Sequence, residues 1–264
     1  MLIDCGGLQN RLSSGRDSKK VLGGTWLNSG SVTATEIAAM AGFDWLLIDR
    51  EHGSGSEADV AMQCLAAAAH GSSSVIRVSG IVPGEIKRVL DEGPAGIMIP
   101  SVDTVEQASD AVRHVRLPPL GIRQTATSTR ATGYGRAWAH YRQHNNRELV
   151  LMVQIESVAA VEHSQEIAAI AGVDVLFVGP TDLASSMGLE SGAGDAAFDE
   201  AVASVAAAAA RHGKESGILA RTEEQARQYA ALGFRWIAHG SDRGILASGF
   251  DRAARMLQSL GAGG

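Results

Sequence analysis

The chain has 264 residues, a formal net charge of -6, and 45% hydrophobic against 20% charged residues. These proportions fit a soluble globular protein and exclude a fibrous or disordered one. The mild acidity and the lack of a basic stripe remove the electrostatic footprint of a nucleic-acid binder. No apolar run reaches the roughly 18 residues of a membrane span, and Met1–Gly7 has no basic segment followed by an apolar one. We therefore expect neither a membrane anchor nor a signal peptide. Cys5 and Cys64 do not form a disulfide framework. We read them as thiols of a cytoplasmic protein, one exposed and one buried.

Short β-rich runs alternate with helical patterns along the chain. Val21–Leu27 reads as a strand and Thr33–Ala41 as a helix. Trp45–Asp49 is a near-continuous apolar run, as a strand buried on both faces requires. Helix Ala58–His70, strand Ser74–Val78, helix Glu85–Asp91, strand Gly96–Pro100 and helix Thr104–Val115 follow. The segment 118–146 is irregular and carries Arg123, Arg130, Arg136 and Arg142; so long a loop is functional or holds its own short helix. The alternation resumes with strand Leu149–Glu156, helix Ala159–Ala169, strand Val173–Val178, helix Ala196–His212, strand Glu215–Leu219, helix Glu223–Leu232, strand Trp236–His239 and helix Arg243–Leu257. Gly261–Gly264 reads as a frayed tail. Eight strands joined by helical crossovers, with no linker, predict an α/β fold: one (β/α)8 TIM-type barrel domain over 1–264. No Gly-x-Gly-x-x-Gly follows the first strand, which argues against a dinucleotide-binding sheet.

Barrel chemistry sits at the carboxyl ends of the strands. Strand two ends in Asp49-Arg50-Glu51-His52, and a histidine beside carboxylates is either a tuned general base or part of a solvated loop. Arg77 stands among β-branched residues, where a guanidinium must be paired, either in a structural ion pair or with a substrate oxygen. Strand five ends in Gln154-Ile155-Glu156 and strand six in Gly179-Pro180-Thr181-Asp182. Two carboxylates at neighbouring mouths suit a hard divalent ion such as Mg2+ or Mn2+; Asp182 is also placed to cap the helix that follows. Trp26 either walls a pocket or plugs the barrel. His239 either lines the pocket or is a satisfied core residue. His114, His140, His144, His163 and His212 read as surface residues. Gly240-Ser241-Asp242 lacks the glycine pair of a phosphate cup.

Phe43-Asp44-Trp45-Leu46-Leu47-Ile48-Asp49-Arg50-Glu51-His52 resembles the Asp-x-Glu-His signature of the HpcH/HpaI aldolase family, class II pyruvate aldolases. Leu117-Pro118-Pro119-Leu120-Gly121-Ile122-Arg123, Val153-Gln154-Ile155-Glu156-Ser157 and Gly172–Leu183 resemble further segments of it, so the likeness runs from about Asn10 to Phe250. The resemblance implies a metal-dependent aldolase that cleaves 4-hydroxy-2-oxoacids to pyruvate and an aldehyde, and the reverse addition, through a metal-stabilised pyruvate enolate. It implies Glu156 and Asp182 as ligands of Mg2+, Mn2+ or Co2+, and Arg77 as donor to the keto oxygen. It further implies His52, paired with Asp49, as base, with Gln154, Thr181 and Arg77 around the substrate; Trp26, in its pocket-wall reading, would join them. It implies a homo-hexamer, a dimer of trimers with exchanged C-terminal helices. Alternatives on the same scaffold are an oxaloacetate decarboxylase, another lyase, or a barrel that only binds an oxoacid. The chain departs from the family pattern at Arg50, at Gly53–Ser56 and at Gln124–Ser128, loops expected to face the aldehyde half; Arg50 is expected to pair with Glu51 or reach an acidic substrate tail.

Overall fold

The computed structural model describes residues 20–261 apart from Ala193. Cys5, the Met1–Gly7 start and residues 262–264 of the tail lie outside the described residues. Strands β1 (Leu22–Leu27), β2 (Trp45–Asp49), β3 (Ser73–Arg77), β4 (Gly96–Ile99), β5 (Val150–Ile155), β6 (Val175–Val178), β7 (Glu215–Ala220) and β8 (Trp236–Ser241) close into one barrel in chain order. Every neighbouring pair is parallel, and β1 meets β8 to complete the ring. Because the pairing is parallel, each return crosses outside as a helix. These are α1 (Val32–Met40), α2 (Glu57–Ala69), α3 (Pro83–Asp91), α4 (Val105–Val115), α5 (Trp138–Glu148), α6 (Val158–Glu162), α7 (Ser164–Ala169), α8 (Pro180–Ser186), α9 (Ala196–Arg211), α10 (Glu223–Ala231) and α11 (Asp242–Gly261).

Local sequence sets the helix starts. Ser31, Ser56, Thr104, Ser157, Asp195 and Thr222 each place a side-chain oxygen on a backbone N–H of the first turn, satisfying donors that the helix leaves open. The strands then bury both faces. Outward-facing Leu46, Ile48, Ile76, Ile97, Leu151, Val153 and Leu176 pack against the helices. Inward-facing Trp45, Leu47, Val75, Met98, Met152, Phe177 and Trp236 fill the barrel. Trp45 stands at the centre of that inner cluster, 5.5 Å from Trp236 and 6.1 Å from Phe177 between ring centroids. Its size is accommodated by Gly24, where a Cβ would lie 2.2 Å from the indole.

One segment differs from the expectation and another takes one of its two readings. The run 159–169 is two short helices with a break at His163, whose Nδ1 contacts the Asp103 carbonyl at 2.9 Å. The irregular segment 118–146 holds a 3-10 turn (Arg130–Thr132) and most of α5. The short helix was one of the two readings of this segment; its bounds were blurred by its composition, Trp-Ala-His-Tyr-Arg-Gln-His-Asn-Asn-Arg-Glu, which buries only Tyr141 and Asn145. Those two residues hold Arg123: Nη1 donates to Tyr141 Oη at 2.9 Å, Nη2 to Asn145 Oδ1, and Nε to the Val115 carbonyl. Thr125 meets Asp91, and Arg130 reaches the Glu92 carbonyl, at the carboxyl end of α3. The segment therefore lies at the amino-terminal rim of the barrel. Within one chain, Gln124–Ser128 does not face the opposite rim, where the chemistry is expected.

Candidate active site

The register of β2 and β3 places Asp49 opposite Arg77 at their carboxyl ends. The pair is bidentate: Arg77 Nε donates to Asp49 Oδ1 at 3.0 Å and Nη2 to Oδ2 at 2.8 Å. Arg77 Nη1 lies 2.9 Å from Glu51 Oε2. Asp49 also accepts from Asn28 Nδ2 and from the backbone N–H groups of Glu51 and His52. Burial alone would raise its pKa, but the Arg77 bond and charge and these N–H donors outweigh burial and hold it below the ordinary carboxylate value. Below the guanidinium sits Trp26, its ring centroid 5.7 Å from Arg77 Cζ. Trp26 is buried against Trp45 and Phe177 while also lining a cavity of about 390 Å3 with Asn28, Leu219, Ala220 and Arg221. It is both plug and floor.

His52 turns its ring outward, with 71% of the side chain exposed. Asp49 meets only its backbone N–H; the carboxylate beside the imidazole is that of Glu51, 3.9 Å away. The expected His52–Asp49 pairing of side chains is thus a His52–Glu51 pairing, because Arg77 already occupies Asp49. Arg50 folds back onto its own loop, donating to the Gly55 carbonyl. It pairs with neither Glu51 nor the mouth.

Across the mouth, Glu156 follows β5 and is buried. Its Oε1 accepts from the Ser101 N–H at 2.8 Å and hydroxyl at 3.1 Å, and its Oε2 from Gln154 Nε2. Burial raises its pKa; the Ser101 bonds oppose this, and the charges of Asp182 and Glu51 add to it. Glu51 is raised in the same way, chiefly by burial, with Asp49 and Asp182 adding and Arg77 and His52 opposing. Asp182 is the third residue of α8 and is exposed; the cap of that helix is Gly179, so capping is not the role of Asp182. Thr181, next to it, accepts a 2.8 Å bond from Arg221 Nη2. His239 is exposed in the second half of β8, its Nδ1 on the Ala220 carbonyl, so it is not a core residue.

These residues fit a divalent cation. The donors are hard carboxylate oxygens whose mutual repulsion a cation would relieve. The buried Gln154 Oε1 has no hydrogen-bond partner and stands beside Glu156. Gly179 leaves the space for this arrangement: a Cβ there would lie 2.5 Å from Glu156 Oε2 and 2.8 Å from Gln154 Nε2. The exposed Asp182 leaves one side open for substrate oxygens.

Sequence reasoning did not place Asn28, Ser101, Arg221 or Asp242 in the site, and named Glu51 only within the Asp49–His52 motif. Asp242 accepts from the N–H groups of Asn28 and Ser29, pinning the loop that aims Asn28 at Asp49. Arg221 had a usable signal, since it directly follows β7. Ser101, at φ 53 after β4, had none beyond its place after a strand.

The chain matches the family model described as HpcH/HpaI aldolase/citrate lyase over residues 23–248. The 5-keto-4-deoxy-D-glucarate aldolase of Klebsiella pneumoniae is 37% identical over 245 residues, 93% of this chain and 95% of that one. The structure of an HpcH/HpaI aldolase/citrate lyase family protein from Burkholderia cenocepacia superposes with a TM-score of 0.87 at 38% identity, covering 96% of this chain and 99% of that one. An HpcH/HpaI aldolase from Desulfitobacterium hafniense gives 0.86 at 28% identity over 94% and 96%. The chain belongs to the HpcH/HpaI aldolase/citrate lyase family and is a lyase of its metal-dependent, class II aldolase type.

Proposed function

We propose that this chain cleaves a 4-hydroxy-2-oxo dicarboxylic acid into pyruvate and an acidic aldehyde, and runs the reverse addition, with a divalent ion held by Glu156 and Asp182. The observation that carries this reading is the convergence of Glu156, Asp182, Glu51 and the Asp49-anchored Arg77 on one mouth. Mg2+, Mn2+ and Co2+ suit such oxygen donors. When bound, the ion supplies Lewis acidity toward the 2-keto group.

The remaining steps belong to the chain. Of the five N–H groups of Arg77, three are engaged by Asp49 and Glu51. Those left are held rigidly where negative charge develops on the 2-keto oxygen. His52, reachable from solvent and next to Glu51, takes the 4-hydroxyl proton in cleavage and returns it in addition. Gln154, whose Nε2 donates to Glu156 and whose Oε1 has no partner, would stand beside the bound oxoacid. Arg221 and Thr181 form the cationic side of the mouth, beside Trp26 and Leu219, and receive the far carboxylate of the substrate. The K. pneumoniae relative is named for a sugar diacid of this kind. Rates of pyruvate release should favour the dicarboxylate over its neutral-tailed analogue, and Arg221→Met should erase that preference through KM. Equal preference in parent and variant contradicts the acidic-tail assignment.

The homo-oligomer, a hexamer built as a dimer of trimers, is supported by α11. This helix leaves Ile245, Leu246, Phe250 (71% exposed), Met256, Leu257 and Leu260 (74%) uncovered on a single chain, the kind of patch that marks an interface. Exchange of this helix between subunits would bury it; sedimentation at the mass of one chain contradicts the proposal. No helix among the described residues is long and apolar enough to cross a membrane, and the buried thiol of Cys64 accords with a cytoplasmic protein.

A further inference from the structure

The outer face of α5 carries His140, His144 and Glu148 at successive four-residue spacings, which a helix brings onto one stripe. Ligand atoms from the three lie within 4.8 Å of one another. The two imidazoles stack with centroids 4.3 Å apart and planes 23° apart. His140 Nε2 is 3.3 Å from Glu148 Oε1. Two ligands bound at about 2.0–2.1 Å around a tetrahedral ion stand about 3.3 Å apart, so this pair is already at the spacing of adjacent ligands. His144 Nδ1 lies 2.9 Å from the His140 carbonyl. A proton donated there fixes the tautomer that leaves Nε2 as a lone pair, the outer-shell arrangement of metal-bound histidines. His140 is 59% exposed and Glu148 21%, so an ion has access.

We propose that His140, His144 and Glu148 form a second metal site, for a borderline transition ion of the zinc class, separate from the site at the mouth. The separation follows from topology: Glu148 ends α5 just before β5 begins, at the rim opposite Glu156. The two sites also select different ions. Two imidazoles and one carboxylate favour Zn2+, Ni2+ or Cu2+, whereas carboxylates alone suit Mg2+. An ion there ties two turns of α5 together. Because Tyr141 and Asn145 of the same helix hold Arg123, it also stiffens the anchor of the 118–146 segment.

The test is Zn2+ titration of the full-length chain by calorimetry in excess Mg2+, repeated in a Glu156→Gln background that removes the mouth site. One Zn2+ per chain is expected in both. A His140→Ala/His144→Ala double variant should lose that equivalent without losing Mg2+-dependent activity. Glu148→Gln should weaken binding by at least the tenfold that losing an outer-shell partner typically costs. At a hundredfold excess over Kd, Zn2+ should raise the thermal midpoint of the Glu156→Gln chain by about 5 °C or more. Zn2+ binding that survives the double variant, or binding in the parent no tighter than that of Mg2+, overturns the proposal. Loss in the His variants with no change in Glu148→Gln overturns the three-ligand arrangement.

Discussion

Arg77→Lys separates charge from geometry at the mouth. The guanidinium spans Asp49 with two bonds of 3.0 and 2.8 Å and reaches Glu51 at 2.9 Å, with Asp49 fully shielded from solvent. One ammonium cannot reproduce that fork. Asp49 keeps Asn28 and two backbone N–H donors, so the variant should fold. Two lost bonds to charged groups, at the low end of about 1.5 kcal/mol each, put the destabilisation near 3 kcal/mol. In catalysis the N–H groups aimed at the 2-keto oxygen move, and loss of one such donor costs about 10²–10³ in kcat. Denaturant unfolding measures the first quantity, and coupled detection of pyruvate with saturating metal measures the second. A folded variant that matched the parent in kcat would refute the idea that Arg77 stabilises developing charge. Unchanged stability would refute the structural weight given to the Asp49 fork.

His52→Ala should slow retro-aldol cleavage strongly while leaving metal affinity near normal, and its exposed ring predicts a stability change within about 0.5 kcal/mol; unchanged cleavage removes it as the base. Gly179→Ala forces a Cβ into Glu156 and Gln154, so equilibrium dialysis should show weakened metal binding; parental affinity would mean that the cradle is not tight. Because the folded-state pKa of Asp49 lies below its unfolded value near 3.8, the stability it contributes is fully present above that value and disappears as pH falls through the folded one. The stability gap between parent and Asp49→Asn should therefore shrink in acid, and a gap that widens there contradicts the Arg77 assignment.

The strands were legible because parallel barrel strands are buried on both faces and read as unbroken apolar runs such as Trp45–Asp49 and Val175–Val178. The same rule pointed to the residues at and just after their carboxyl ends, which is why Asp49, Glu156 and Asp182 stood out. Which of these touch was not legible. The exchange of His52's partner from Asp49 to Glu51 depends on the one-to-one register of β2 with β3, and side-chain order along a loop does not encode that. Helix α5 was legible only as one of two readings of 118–146, because it packs few apolar residues and is held by the buried polar network of Arg123. Ser101 and Asn28 are ordinary residues made functional by the curvature that closes the ring.

The most direct test of the central claim is pyruvate release from a 4-hydroxy-2-oxo dicarboxylate by protein stripped with EDTA and then given Mg2+, Mn2+ or Co2+, alongside Glu156→Gln. The account predicts loss on stripping, recovery with added ion, and no recovery in the variant. Full activity in the stripped protein, or recovery in Glu156→Gln equal to the parent, would contradict it.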